Sequence, residues 1–348
     1  MNFSKNIIIF KNDAVGDLVQ SISSINNIIK HNPRNKIIIY LSERSKDFSF
    51  FVNNENVEIR IVNYDLSIIQ KIQIFFQILL NKIYSIYILT PKNFYFYLPL
   101  FFRNIRFYAL CINSTKNYRR PSNFLRKFLY KYSINDRGTL NKRKSTTDLQ
   151  CDLTNDLNFN EKFTINNIPD FKHNKLDNIN SYIYFHLKLS NLNKLGWGYK
   201  ELKILFDEFL KYKNNVIFTK DIDDNTNLYK YKKDFNYINF STNETNLNNS
   251  KVYLFDNISG SDLYHVINKS DKVIAFHGMM TNLASIEKKN VLDLFLCEIN
   301  TIADFRRYKN ALYEFKPSYN NYDFIVPSKD IDKTIRKMKF SLKKWPVN

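Results

Sequence analysis

The chain reads as a parallel α/β protein built from two Rossmann-like halves. Three observations predict this. An apolar strand near the N-terminus runs straight into a helix, strands and helices then alternate, and the alternation restarts after a polar stretch around residue 170. A strand buried on both faces is an unbroken apolar run, and such runs alternating with helical periods argue for a doubly wound sheet.

Ile7-Ile8-Ile9-Phe10 is the first strand. Lys11-Asn12-Asp13-Ala14-Val15-Gly16-Asp17 follows as a short loop, and apolar residues at Leu18, Ile22, Ile25 and Ile29 mark a helix. The loop lies at the carboxyl end of its strand, where open α/β sheets bind ligands. Asp17, at or near the helix start, is the first candidate for chemistry. An Asp there also serves as a cap or a dipole partner. The loop has neither the dinucleotide fingerprint nor the P-loop glycines, and it has no nucleophile-elbow serine.

Strands follow at 37–41, 57–62 and 84–89, the last ending at Thr90-Pro91. An apolar-rich helix covers 68–80, an aromatic short helix 94–102, and a further strand 105–111. Residues 116–144 are basic, with Arg119, Arg120, Arg126 and Lys127 interleaved with Tyr118, Phe124 and Phe128. The stretch reads as a solvated loop and helix or as a surface for an anionic partner, a phosphorylated acceptor or a lipid leaflet. A helix is expected at 148–157 and a linker at 158–178. In the second half, strands are expected at 182–187, 216–219, 252–255, 272–276 and 291–296. Helices are expected at 200–210, 261–267 and opening within 277–282, with a basic amphipathic helix at 331–342. Residues 188–197 read as a polar loop, and the Asn/Asp-rich 221–250 as one helix at most.

A chain of 348 residues is long enough for two domains, and its 44% hydrophobic content is that of a globular protein. The net charge of +19 invites nucleic acid or an anionic surface. Without RNA-binding motifs, zinc-finger spacing or a compact lysine tail, nucleic acid is not the expected partner. Three scattered cysteines and five histidines form no metal spacing and no disulfide framework. With no signal-like N-terminus and no membrane-length apolar run, a cytoplasmic location is expected. The basic patches at 116–144 and in the C-terminal helix would hold the protein on an anionic membrane surface, the inner face of the cytoplasmic membrane.

The turn His277-Gly278-Met279-Met280-Thr281-Asn282 joins a strand to a helix. Such a turn aims free N–H groups and a positive helix end at an anion, and a diphosphate suits it. Buried histidine and plain packing methionines are the alternatives for His277, Met279 and Met280. Lys194 and Trp197, after the first strand of the second half, and His186 at that strand's end complete the candidates.

The ordered set Lys11…Gly16-Asp17-Leu18, His186…Lys194-Leu-Gly-Trp197 and His277 to Ala284 resembles glycosyltransferase family 9, the heptosyltransferases of lipopolysaccharide core synthesis. In the third landmark His277 stands at the family's Asp, Met279 at its Gly and Asn282 at its His. The resemblance implies a GT-B fold, two Rossmann-like domains facing an interdomain cleft. Residues 1–165 would bind the acceptor, 179–328 the nucleotide-sugar, and 329–348 would be a basic helix. It implies an inverting, metal-independent transfer of a sugar such as heptose to a cell-surface glycan or glycolipid, with no cofactor beyond the nucleotide-sugar substrate. Asp17 would be the general base, and Lys11, Asp13, Gly16 and His186 would contact substrate. Lys194 and residues His277, Gly278, Met279, Met280, Thr281 and Asn282 would hold the donor. Asp221-Ile-Asp223, the nearest approach to a metal motif, reads as loop. A non-catalytic nucleotide-sugar or glycan-binding relative is the alternative.

Overall fold

The structure, a computed structural model, describes residues 5–112, 119–134, 145–154, 169, 179–220, 234–242, 244–297 and 321–344. The chain divides into two compact units. The first contains β1 (Asn6–Lys11), α1 (Val15–His31), β2 (Lys36–Ser42), a 3-10 segment (Glu43–Val52) and β3 (Val57–Val62). It continues with α2 (Ile68–Leu80), β4 (Ile83–Ile88), α3 (Asn93–Phe101), β5 (Arg106–Cys111), α4 (Asn123–Arg126), β6 (Lys131–Ile134) and α5 (Thr146–Thr154). Its six strands lie in the order β3-β2-β1-β4-β5-β6, and every pair is parallel.

Strand β1 is central, with Ile8 beside Ile38 of β2 and Ile86 of β4. Ile7, Ile8, Ile9 and Phe10 are all buried, as a strand covered on both faces requires. Ile8 and Phe10 join the layer under α2 and α3, with Ile74, Ile78, Tyr95 and Phe96. The stripe Leu18, Ile22, Ile25 and Ile29 of α1 is buried as its helical spacing demands. Helix α2 starts on a capping box, Ser67 with Gln70.

The second unit contains β7 (Tyr182–Leu187), α6 (Leu189–Leu195), α7 (Tyr199–Phe209), β8 (Asn215–Lys220), β9 (Asn236–Asn239), β10 (Thr245–Asn246) and β11 (Val252–Asp256). Then come α8 (Gly260–Lys269), β12 (Lys272–Phe276), α9 (Met279–Ile286), β13 (Asn290–Leu294), β14 (Tyr322–Ile325) and a final helix, α10 (Ile331–Lys344). The order is β10-β9-β11-β8-β7-β12-β13-β14, parallel except for the β9/β10 pair. Without β9 and β10, this is the plan of the first unit again.

Several elements differ from the sequence expectation. Helix α1 begins at Val15, so Gly16 lies in its first turn and the β1–α1 loop is only Asn12 to Ala14. A short helix, α6, occupies the segment read as polar loop, closed by Gly196 in the left-handed region at φ 68°. Strands β9 and β10 lie inside the segment read as at most one helix. Buried Asn236 donates to Ser250 O and accepts from Asn248 N, so an Asn-rich strand is satisfied by its own side chains. Strand β6 hides in the basic stretch because it is an edge strand, with Tyr132 exposed and Ser133 buried. Strand β14 is too short and polar to read as an apolar run. The expected linker 158–178 lies outside the described residues except for Pro169, as do Asp221 and Asp223 and much of 116–144.

Phe185 of β7 is fully buried against the rings of Phe206, Phe209 and Phe276, 5.4 to 6.5 Å away. Phe185→Ala should cost about 3–5 kcal/mol of unfolding free energy, measured by denaturant titration.

Candidate functional site

In the first unit the strand order reverses between β1 and β4, so the loops following these strands flank the crevice of an open sheet. The loop after β1 is held from every side. Tyr95 of α3 donates to Asn12 Oδ1 at 2.7 Å, and Asn12 Nδ2 donates to the carbonyls of Asn63 and Tyr64 at 3.3 Å. Ser42 Oγ donates to Asp13 O. Lys92 Nζ donates to Asn12 O and to Tyr64 O, and it lies 4.3 Å from the centre of the Tyr64 ring. Burial lowers the Lys92 ammonium pKa, with Asp65 and Asp13 opposing.

Lys11 and Asp13 form a buried ion pair at 2.7 Å, each about 2% exposed or less. Thr90 Oγ1, after β4, donates to the same Asp13 oxygen at 2.9 Å, while Asp13 Oδ1 is buried with no hydrogen bond. Burial raises the Asp13 pKa to about 6, Lys11 pulls it down, and Asp17 pushes it up. The two carboxylates therefore lie within electrostatic reach of one another. Asp17 is the third residue of α1 and only half-buried. The N-cap is Ala14, whose side chain makes no cap bond, so Asp17 is not the cap. Of the residues expected to touch substrate here, the structure turns Lys11 and Asp13 inward as a pair and leaves Asp17 partly open.

In the second unit the reversal falls between β7 and β12. His186, at the end of β7, places Nδ1 2.8 Å from Thr219 Oγ1 on β8. Tyr184 OH lies 2.6 Å from the same hydroxyl and donates to Met280 Sδ at 3.5 Å. One polar chain thus links His186 to Met280. Beyond β12, His277 Nδ1 lies 2.5 Å from Asp293 Oδ2. Tyr322 OH donates to Asp293 Oδ2 at 2.7 Å, and Thr281 Oγ1 to Asp293 Oδ1 at 3.3 Å. Asp293 is fully buried and ties β13, β14 and the start of α9 together.

Gly278, at φ 152° and ψ −140°, makes the turn from β12 into α9 in a region that is almost glycine-only. The side chains of Met280, Thr281 and Asn282 are buried. What this turn offers a ligand is therefore the first backbone N–H groups of α9 and the half-buried His277, Gly278 and Met279. Lys194 is exposed in the last turn of α6. Trp197 is buried instead, and its Nε1 donates to the carbonyls of Ser328 and Lys329 at 3.2 and 3.3 Å. Asn12, Thr90, Lys92, Tyr95, Thr219, Asp293 and Tyr322 were missed by sequence reasoning. Thr90 was visible as the end of a strand, but its place beside Asp13 depends on the strand order. Among the described residues, no group of three or more His, Cys, Asp or Glu is placed to hold a metal ion.

No protein-family model and no curated protein matches the sequence. Solved structures do. A glycosyltransferase family 9 protein from Veillonella parvula superposes with a TM-score of 0.63 at 13% identity, over 99% of this chain and 91% of that one. The fold is GT-B. The Escherichia coli ADP-heptose lipopolysaccharide heptosyltransferase II gives 0.63 at 9% identity, covering 97% of this chain and 99% of that chain. A Listeria monocytogenes protein described as a UDP-N-acetylglucosamine 2-epimerase gives 0.56 at 10% identity, covering 98% and 89%. The two Rossmann-like halves expected from the sequence are thus those of a known two-domain architecture.

The pair at Asp13 predicts a pH effect. Its folded pKa of about 6 lies above the ordinary 3.8, so the folded chain binds this proton more tightly than the unfolded chain. That stabilisation is present at low pH and is lost as pH rises from about 4 to about 6. Relative to Asp13→Asn, the wild type should lose on the order of 2–3 kcal/mol across that window in urea unfolding. Equal pH slopes for the two proteins would refute the assignment.

Proposed function

We propose that this protein is a glycosyltransferase that moves a sugar, heptose or a hexose, from a nucleotide-sugar to a hydroxyl of a glycan or glycolipid. One observation carries the reading: a half-buried carboxylate, Asp17, stands in the first turn of α1 at the end of the central strand β1. The fold supports it, because solved proteins that share it bear names tied to ADP-heptose and UDP-N-acetylglucosamine. In this reading the acceptor lies on the first unit and the donor on the second.

Asp17 acts as general base. It takes the acceptor hydroxyl's proton as the oxygen attacks the anomeric carbon, which inverts that centre as the nucleoside diphosphate leaves. Asp17 lies in the first turn of α1, at the positive end of that helix. The negative charge growing on the leaving diphosphate meets the free N–H groups at the start of α9 and the ammonium of Lys194. The Asp293 carboxylate fixes His277 and Thr281, so that turn is rigid before a donor arrives. These groups supply the charge stabilisation that a metal-independent transfer needs.

A non-catalytic sugar-nucleotide binder is the second reading, favoured by the third landmark, where His277, Met279 and Asn282 stand in place of the family's Asp, Gly and His. Asp17→Asn separates the two. The transferase reading expects turnover to fall by roughly 10²–10⁴ while donor affinity, measured by calorimetry, stays within a few fold. Turnover equal to the wild type would remove Asp17 as the base.

A further inference from the structure

Helix α2 is apolar on two faces, and the fold accounts for only one. Ile74 and Ile78 are buried under the sheet. On the outward side Ile68, Ile69, Ile72, Phe76, Leu79 and Leu80 are each 50–78% exposed. At 100° per residue these six share one continuous arc, and Lys71, the only charged residue of α2, lies outside it. The arc extends onto α3: Phe75 meets the ring of Phe101 edge-on at 5.6 Å, and Phe101 is 68% exposed. Six large apolar side chains on one exposed face exceed the scattered hydrophobics normal on a monomer.

The charge around this face is mainly positive, the exposed Asp65 just before α2 being an exception. From Leu66 to Asn135 the chain contains eleven lysines and arginines and no aspartate or glutamate. Lys82 follows the last turn of α2 and is exposed, and Arg103, just past α3, is exposed over the ring of Phe128 at 5.7 Å. Lys127 is exposed beyond α4. A second copy of this chain would set two such basic surfaces against each other, and like charges oppose that pairing. An anionic bilayer presents the complement to both properties. Its acyl boundary takes the apolar arc, and its headgroups take the cations, whose long stems reach up to them.

We propose that the outward face of α2, with Phe101, docks the protein on an anionic lipid bilayer, α2 lying in the plane of the headgroups. The apolar stripe of α10, Ile335, Met338 and Leu342, is buried in the second unit's core, so those side chains are not offered to a bilayer. No described helix is long and apolar enough to cross a membrane, so the contact is at the surface. The proposal does not depend on which sugar is transferred, or on transfer at all.

Vesicle flotation of the full chain tests it. Wild type should float with mixed phosphatidylcholine–phosphatidylglycerol vesicles and much less with phosphatidylcholine alone. The variant Ile72→Gln/Phe76→Gln/Leu79→Gln should bind the mixed vesicles at least about tenfold more weakly, with its circular dichroism spectrum and melting temperature kept. Lys82→Gln/Arg103→Gln/Lys127→Gln should lose the preference for the anionic lipid. Hydrogen exchange of the wild type needs no variant to fold, and vesicles should slow it across 68–80. Failure to float, a triple variant that floats like wild type, or protection confined to other segments would overturn the proposal. So would self-association in sedimentation velocity that the α2 variant abolishes while neither protein binds vesicles.

Discussion

Two central strands, β1 and β7, are buried on both faces and paired on both edges, and the candidate chemistry sits where they end. Burial of Ile7 to Phe10 and of Tyr182 to Leu187 leaves no freedom in how these strands pair, since a shift of one residue would turn every side chain to the other layer. The strand order reverses beside each of them, which opens a crevice at their carboxyl ends. The hydrophobic effect fixes the sheet, and the sheet decides where Asp17 and the Gly278 turn can be.

Around those ends the polar groups are arranged in two ways. Inside the first unit Lys11 and Thr90 converge on Asp13 Oδ2 and Tyr95 holds Asn12, and inside the second His277, Thr281 and Tyr322 converge on Asp293. Buried polar groups of this kind hold loops rigid because any rearrangement would strand a donor or acceptor away from water. Asp17 is only half-buried and Lys194 is exposed. The division is the one a preorganised site needs, with fixed loops behind and accessible charged groups in front.

Much of this was legible in the sequence. The strand–helix rhythm of both halves, the stripe of α1 and the position of Asp17 follow from periodicity, and the order of the motifs already resembled a family whose solved members have this fold. What escaped has physical causes. β6 and β9 escaped because edge position and side-chain-satisfied asparagines replace the apolar run that marks a strand. Asp293, Thr90 and Asn12 became partners of the site through strand order, which no local pattern encodes. Trp197 belongs to the same landmark as Lys194, and its indole N–H is spent on two backbone carbonyls. The solvent-facing arc of α2 reads in sequence as ordinary core, because burial of one helix face cannot be told from exposure of the other by hydrophobicity alone.

The fate of the donor sugar tests the central claim most directly. The same fold supports both transfer to an acceptor and a protein described as a 2-epimerase, so binding a nucleotide-sugar does not distinguish them. Isotope-labelled nucleotide-sugars incubated with the chain and a glycolipid extract, followed by mass spectrometry and anomeric NMR, do distinguish them. The account predicts nucleoside diphosphate released in step with label joined to the acceptor in inverted configuration. Label left on an epimerised nucleotide-sugar, or recovered unchanged with every donor, would contradict it.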